Sequence, residues 1–381
     1  MLANDGYIAY RGTFPDLFEF DRKQVTTTNF TTRFFWFGTY SSINLCNIVL
    51  DNLYLEENPV IVAQLEGEAK FLRGMQYFEM VRFYALPFEL GGSNDQPGLP
   101  LVFDGVTDLG DVVYPSRSNV GEVYAQIIND LSDAYELLPP DNGFRADRFA
   151  ARALLARVYL QQGNYAAARD AAHDVLQNSG HLLAPNLASA FNNESDGIED
   201  IFAWQITTQV GFNDFNNYWA TIDFGGRSQT ADVTIEEPFF DIFNVQDDRA
   251  EFFYEGNGTV VSSKWQGQFA NVPYIRIAEM HLIRAECNFR EETTLGLIPE
   301  DEINMLRARS NAEPITGVTL DDILQERRRE LAFEGHRLHD AKRLQEDIDG
   351  IPYNADQLVM PLPQDEVDVN PNLDQNPGYN N

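Results

Sequence analysis

From Phe149 to Gln177 the chain reads FAARALLARVYLQQGNYAAARDAAHDVLQ, and no other stretch limits the possible folds as strongly. Small and large residues alternate at helical spacing, and Gly163-Asn164 breaks the pattern as a turn. Two antiparallel, interlocking helices are therefore expected. Leu155, Ala156 and Tyr159 in the first and Ala168 in the second occupy the large, small, aromatic and small positions of a helix-pair repeat of about 34 residues. No second copy follows at a fixed period, so a regular solenoid is not expected, although helix pairs of unequal length can still stack.

The pattern is that of a tetratricopeptide repeat, and more helices surround it. Ile43, Cys46, Leu50 and Leu53 predict one from Tyr40 to about Tyr54, with Ser41 and Ser42 as available caps. A second starts at Pro59, which suits a first helical turn, and runs to Tyr84 before Pro87, Gly91 and Gly92. A third lies within Ser118–Pro139. Helices return at Pro273–Arg290, at PEDEINMLRARS and at TLDDILQERRRELAFEGHRLHDAKRL, where Thr319 is a cap. Between the helical blocks, residues 185–271 change texture to Asn, Gly, Thr and aromatics, with a strand-like piece at Ile201–Ile206. The last part, LVMPLPQDEVDVNPNLDQNPGY, carries four prolines that disfavour a helix. Its recurring apolar residues predict a coil buried against the protein. The chain is thus expected to be mainly α, a single domain over 1–381. It would comprise a helical scaffold at 40–180 and 272–345, an aromatic loop-rich insert at 185–271 and an extended clamp at 355–381.

Charge narrows the partners. With 27 Lys and Arg against 59 Asp and Glu, the formal charge of −32 repels phosphate backbones and anionic lipid, so nucleic acid is not an expected ligand. No apolar run is long enough for a membrane helix. Cys46 and Cys287 sit in helix-like apolar patterns and read as buried thiols rather than a disulfide framework. Aromatic residues make up 12% of the chain, a supply of flat faces suited to cores and to neutral polar ligands alike.

Five ordered blocks resemble the SusD/RagB family of outer-membrane glycan-binding lipoproteins. Glu68-Ala69-Lys70-Phe71-Leu72-Arg73 through Tyr77-Phe78 to Tyr84 and Pro87 is similar to that family's second long helix. Arg117-Ser118 with Val123-Tyr124, Ile127-Ile128, Asp130-Leu131, Ala134 and Leu137-Leu138-Pro139 resembles the next. Ala151–Leu160 and Glu326–Leu331 with Glu334-Gly335-His336-Arg337 match two more, and the proline-rich end resembles the family's closing segment. Ala85 stands where the family usually has glycine, and Leu344 where it commonly has tryptophan. The resemblance implies non-catalytic capture of oligo- or polysaccharide at the cell surface and delivery to a TonB-dependent SusC-like transporter. It also implies an outer-membrane location through an N-terminal lipid anchor that these residues do not contain.

The residues themselves leave other chemistry open. His336 and His339 are spaced for one helix turn but lack the glutamate of an HExxH site, and a solvated or salt-bridged pair is expected. Glu330 and Glu334 with Arg327, Arg328, Arg329 and Arg337 predict an i,i+4 ion lattice. Asn192–Gly197 resembles the start of a calcium loop, but Ala203 stands where an EF-hand needs a bidentate glutamate, so no cofactor is expected, with another calcium geometry left open. No phosphate-binding, GxSxG or dinucleotide motif occurs. For binding, Asn213, Asp214, Phe215, Asn216, Tyr218 and Trp219 combine amides and a carboxylate for sugar hydroxyls with rings for the apolar pyranose face. Trp36 and Trp265 are further candidate platforms, Trp265 being flanked by polar residues and read as partly exposed. Trp204 is read as core. A peptide-binding tetratricopeptide scaffold and a glycoside hydrolase with spatially paired carboxylates remain the alternatives.

Overall fold

The structure, a computed structural model, describes all residues except 208, 210, 245, 380 and 381. The helices are α1 (Pro15–Asp21), α2 (Phe30–Asp51), α3 (Pro59–Tyr84), α4 (Val120–Leu137), α5 (Arg148–Gln162) and α6 (Tyr165–Asn178), then α7 (Asp214–Trp219), α8 (Ile277–Arg290), α9 (Pro299–Arg309), α10 (Leu320–Glu330), α11 (Arg337–Leu344) and α12 (Gln364–Val369). Short strands are β1 (Ile8–Tyr10), β2 (Asp200–Trp204), β3 (Val233–Ile235), β4 (Phe253–Gly256), β5 (Thr259–Ser262) and β6 (Val272–Arg276). The protein is mainly α. Local chemistry sets the helix ends: Asn58 caps α3 ahead of Pro59, Asn119 and Glu122 form a capping box on α4, and Thr319 and Asp322 form one on α10. Gly163 closes α5 in the left-handed conformation at φ +73°, and Asn164 caps α6.

Two expected boundaries move. α2 starts at Phe30, well before Tyr40, because the Asn29 side chain accepts from the Thr32 amide and opens the helix ahead of the aromatic run. The tail is not all coil either. Between Pro363 and Pro371 no proline interrupts, and α12 fills that gap.

The chain folds as two compact units, one made of Pro15–Gly163 with the residues from His339 onward, the other of Ala3–Phe14 with Asn164–Leu338. The boundary thus falls on the Gly163-Asn164 turn of the repeat. In the first unit α2 packs on α3, α3 on α4 and α4 on α5. Glycines set the α3–α4 approach: a Cβ at Gly67 would lie 2.8 Å from Leu138 Cγ, and one at Gly74 3.1 Å from Leu131 Cγ. Arg73 grips Asp130 with two hydrogen bonds of 2.9 and 2.7 Å and donates to Asn47 Oδ1 at 2.9 Å, tying α2, α3 and α4 together in the interior.

The C-terminal segment closes the same unit. Leu358, Val359, Met360, Leu362 and Leu373 are buried. The Met360 amide donates to the Phe83 carbonyl at 2.7 Å. Asn376, buried, donates to the carbonyls of Tyr84 and Met360, both at 2.8 Å, and accepts from Arg117 at 2.7 Å. The expected clamp ends in residues 380 and 381, which lie outside the described residues.

In the second unit α8 packs against α6, α9 and α10 over a core that includes Ala278, Leu282, Ile303, Leu306 and Ile323. Among the described residues there are two antiparallel sheets, one of order β1-β3-β5-β4 and one pairing β2 with β6. A buried ion network joins these parts. Arg276, where β6 passes into α8, reaches Glu199 at 2.6 Å, Glu334 at 2.8 Å and Glu330 at 3.3 Å. Arg249 pairs with Asp247 at 2.8 Å, Glu326 at 2.7 Å and Glu330 at 3.3 Å. Arg309 pairs with both Glu199 and Glu330, and Lys264 with Glu334 at 2.7 Å. The expected i,i+4 lattice is therefore replaced by a tertiary one. Arg329 lies 3.3 Å from Glu326 and Arg327 3.6 Å from Glu279, while Arg337 turns to Asp5.

Burial alone would raise the Glu330 carboxyl, but Arg309, Arg276 and Arg249 outweigh it and hold it well below the ordinary carboxylate range. A carboxylate depressed in the folded state stabilises fully above its unfolded value of about 4.3 and loses that contribution as pH falls through the lower folded value. Glu330→Gln should thus remove part of the pH dependence of unfolding below about pH 4.3, read by urea titration across acidic buffers. Arg276→Met leaves three carboxylates short of a partner and should cost about 3–5 kcal/mol in the same assay.

Candidate functional site

The segment with the richest mixture of aromatics and amides, residues 211–219, folds locally because Asn213 caps α7. Its side chain accepts from the amides of Phe215 at 2.8 Å and Asn216 at 3.3 Å, and its own amide nitrogen atoms reach the carbonyls of Gln268 and Ala270. Asn216 is buried and donates to the carbonyls of Phe224 and Trp265, each at 2.9 Å. Both carboxamides hold the loop together from inside, so neither faces a ligand. Asp214 is exposed, and Phe215 is 38% exposed with its ring stacked on Trp265 at 4.5 Å. Tyr218 and Trp219 are half-buried, the first edge-on to Phe14 at 6.1 Å, the second tilted against Phe333 at 5.5 Å. Phe212 beside them is exposed.

Both remaining tryptophan candidates lie in cores. Trp36 is 1% exposed, between Tyr40 at 4.9 Å and Tyr84 at 5.1 Å in the first unit. Trp265 is 3% exposed, covered by Phe215 and edge-on to Phe191 at 5.7 Å. Polar neighbours in sequence do not expose it, because distant rings cover it. Trp204 reverses the expectation in the other direction at 41% exposure. Along β2, Ile201 and Ala203 turn inward while Phe202 is half-buried and Trp204 open. That alternation of two was the signal available in the sequence.

Trp204 is not isolated. Its ring lies 5.6 Å from Phe202 and 6.0 Å from Tyr274 on the neighbouring β6, both edge-on. Polar groups are fixed alongside. Asn271 donates to Asp196 at 2.8 Å and to Gln205 Oε1 at 3.0 Å, while Gln205 donates to Asp196 at 2.7 Å. Asn271 itself is buried, accepting from the Ile206 amide, and so fixes both polar side chains where the chain leaves β2. The strip from Gln268 to Tyr274 carries both ends of the site, since Asn213 anchors to its start and Trp204 pairs with Val272 near its end. Burial pushes the nearby Asp200 carboxyl up to about 7.

The Asn192–Gly197 loop commits its amides to protein partners: Asn192 accepts from Gly267 at 2.7 Å and donates to Ser263, and Asn193 donates to Ser189. Among the described residues no three His, Cys, Asp or Glu side chains gather as metal ligands. His336 lies 3.3 Å from the Arg327 guanidinium and 3.8 Å from Glu279 in the second unit, and His339 meets the Phe83 ring at 4.8 Å in the first.

Comparison with known proteins accords with this architecture. Residues 15–160 match a family described as starch-binding and associating with the outer membrane, and residues 251–351 match the SusD family. The chain belongs to the SusD/RagB family. SusD-like protein P2 of Formosa agariphila is 25% identical, with 91% of this chain and 80% of the relative covered. A SusD-like protein of Bacteroides ovatus is also 25% identical, over 89% of this chain and 69% of that one. In fold, this SusD/RagB chain is similar to a solved laminarin-binding SusD-like protein at a TM-score of 0.80 and 22% identity, covering 99% and 93% of the two chains. It is likewise similar to a SusD superfamily protein from Bacteroides vulgatus, at 0.87 and 21%, covering 100% and 93%. No helix is long and apolar enough to cross a membrane among the described residues.

The exposure of the tryptophans predicts their effects on stability. Trp36→Ala and Trp265→Ala should each cost about 3–5 kcal/mol in denaturant unfolding, whereas Trp204→Ala should stay within about 1 kcal/mol of the parent.

Proposed function

We propose that this SusD/RagB protein captures a neutral oligo- or polysaccharide without cleaving it and delivers it to a TonB-dependent SusC-like transporter at the outer membrane. The observation that carries the reading is the open Trp204 indole, with the Phe202 and Tyr274 rings edge-on to it. An indole face covers the apolar C–H face of a pyranose. Hydrogen bonds to sugars net only about 0.5–1.5 kcal/mol each, because water already satisfies the hydroxyls, so stacking supplies specificity for a ring. A platform burying roughly 80 Å² contributes ~2 kcal/mol. Phe215, Phe212 and Asp214 supply a second position on the same unit, and two weak positions suit a repetitive polymer.

The starch-binding description of the matching family and the laminarin-binding relative support a carbohydrate ligand. Docking to a transporter is supported by the outward face of α2, where Phe34, 69% exposed, stacks with Phe30 at 6.0 Å and is followed along the helix by exposed Leu45 and Val49. So large an open apolar stripe is what a protein partner covers.

Affinity electrophoresis against a panel of neutral and charged glucans and other polysaccharides tests the capture. The parent should be retarded by a neutral polymer, and Trp204→Ala should weaken that retardation roughly 10- to 30-fold, with Phe215→Ala weakening it less. Equal retardation of parent and Trp204→Ala would remove the site, and release of new reducing ends from the retarding polymer would replace capture by hydrolysis.

A further inference from the structure

A narrow pocket in the first unit has no role in the glycan reading. It is lined by Arg82 of α3, Tyr124 of α4, Gln161 of α5 and His339 and Lys342 of α11, with Phe88 and Pro87 at its wall. Counting its open mouth it encloses about 230 Å³, with room inside for a single small guest. Lys342 is buried, and its ammonium donates to the Arg82 carbonyl at 3.1 Å, its one hydrogen bond among the described residues. Three donors on that nitrogen leave two for the pocket. Tyr124 is equally buried, and its hydroxyl has no hydrogen bond among the described residues. The ionisable groups around the ammonium are the Arg82 guanidinium, Glu79 paired with it, and the His339 imidazole.

We propose that this pocket binds a small monovalent inorganic anion of halide size, held between the Lys342 ammonium and the Tyr124 hydroxyl with Arg82 as the second positive charge. Two buried cations face one carboxylate here, and a neutral water molecule would bridge the donors without cancelling the excess charge. An anion does both. Burial, with the Arg82 charge added, lowers the Lys342 amine to about 7, and a bound anion would move it back up by favouring the charged form. The ion would also link α3, α4 and α11, so it should stabilise the folded chain by mass action.

Thermal unfolding of the whole chain in sodium chloride or bromide, against sodium gluconate at equal ionic strength, reads this directly. The parent should melt about 1–3 °C higher in the halides, and Lys342→Met should show no halide increment. Crystals grown in bromide should carry an anomalous peak within hydrogen-bond distance of Lys342 Nζ and Tyr124 Oη. Absence of bromide from the pocket, or an equal halide increment in Lys342→Met, would overturn the site. So would bromide present in the pocket with no change in melting, which marks an adventitious ion only. If Lys342→Met does not fold, Tyr124→Phe replaces it, with a reduced increment expected, and the bromide peak in the parent still decides.

Discussion

Glu330 sits where three guanidinium groups converge, and the second unit is organised around that convergence. A buried carboxylate of this kind survives only because Arg249, Arg276 and Arg309 approach it together, and each of those arginines arrives on a different element. Arg276 ends a strand, Arg309 ends α9 and Arg249 belongs to a turn near the four-stranded sheet. A hydrophobic core would tolerate small shifts among these pieces. A set of shared hydrogen bonds does not, because displacing any one arginine strands a charge. The network therefore fixes the angle at which β6 enters α8, and with it the strip from Gln268 to Tyr274 on which the candidate site is built.

That dependence links the helical scaffold to the aromatic face. Glu199 precedes β2, pairs with Arg276, and its carboxylate accepts the Ala184 amide at 2.9 Å. The same short strand carries Phe202 and Trp204 outward. Positioning of the exposed indole thus begins in an ion pair that never meets solvent, while the buried Asn271 orients Asp196 and Gln205 at the end of the strand. The site is a surface supported from beneath by satisfied polar contacts.

Much of this fold was legible one-dimensionally. Asn58 before Pro59, Asn119 three residues before Glu122, and Thr319 before Asp322 announce helices because capping chemistry is local. The partners of Glu330 could not be read in that way, since Arg249 lies 81 residues away and nothing in the intervening sequence points to it. The tryptophans show the same limit. Lys264 and Gln266 suggest an exposed Trp265, but Phe215 and Phe191 cover it from other segments, whereas Trp204, in an apolar run, sits on the uncovered side of a two-stranded sheet. Asn213 and Asn216 looked like sugar ligands by residue type and proved to be loop-building groups, because an amide satisfies a backbone as readily as a hydroxyl.

Asn376 brings an unexpected constraint on how the chain is made. It bonds to the carbonyls of Tyr84 and Met360 and receives Arg117, so the first helical unit is completed by residues made long after its helices. Helices α2 to α5 are synthesised well before Leu358, Leu362 and Leu373, and their packing lacks these residues until then. A nascent chain in that condition stays incompletely closed, with few reasons to lock before release. Closure of α2 to α5 is thus delayed until the residues from Leu358 onward have been made.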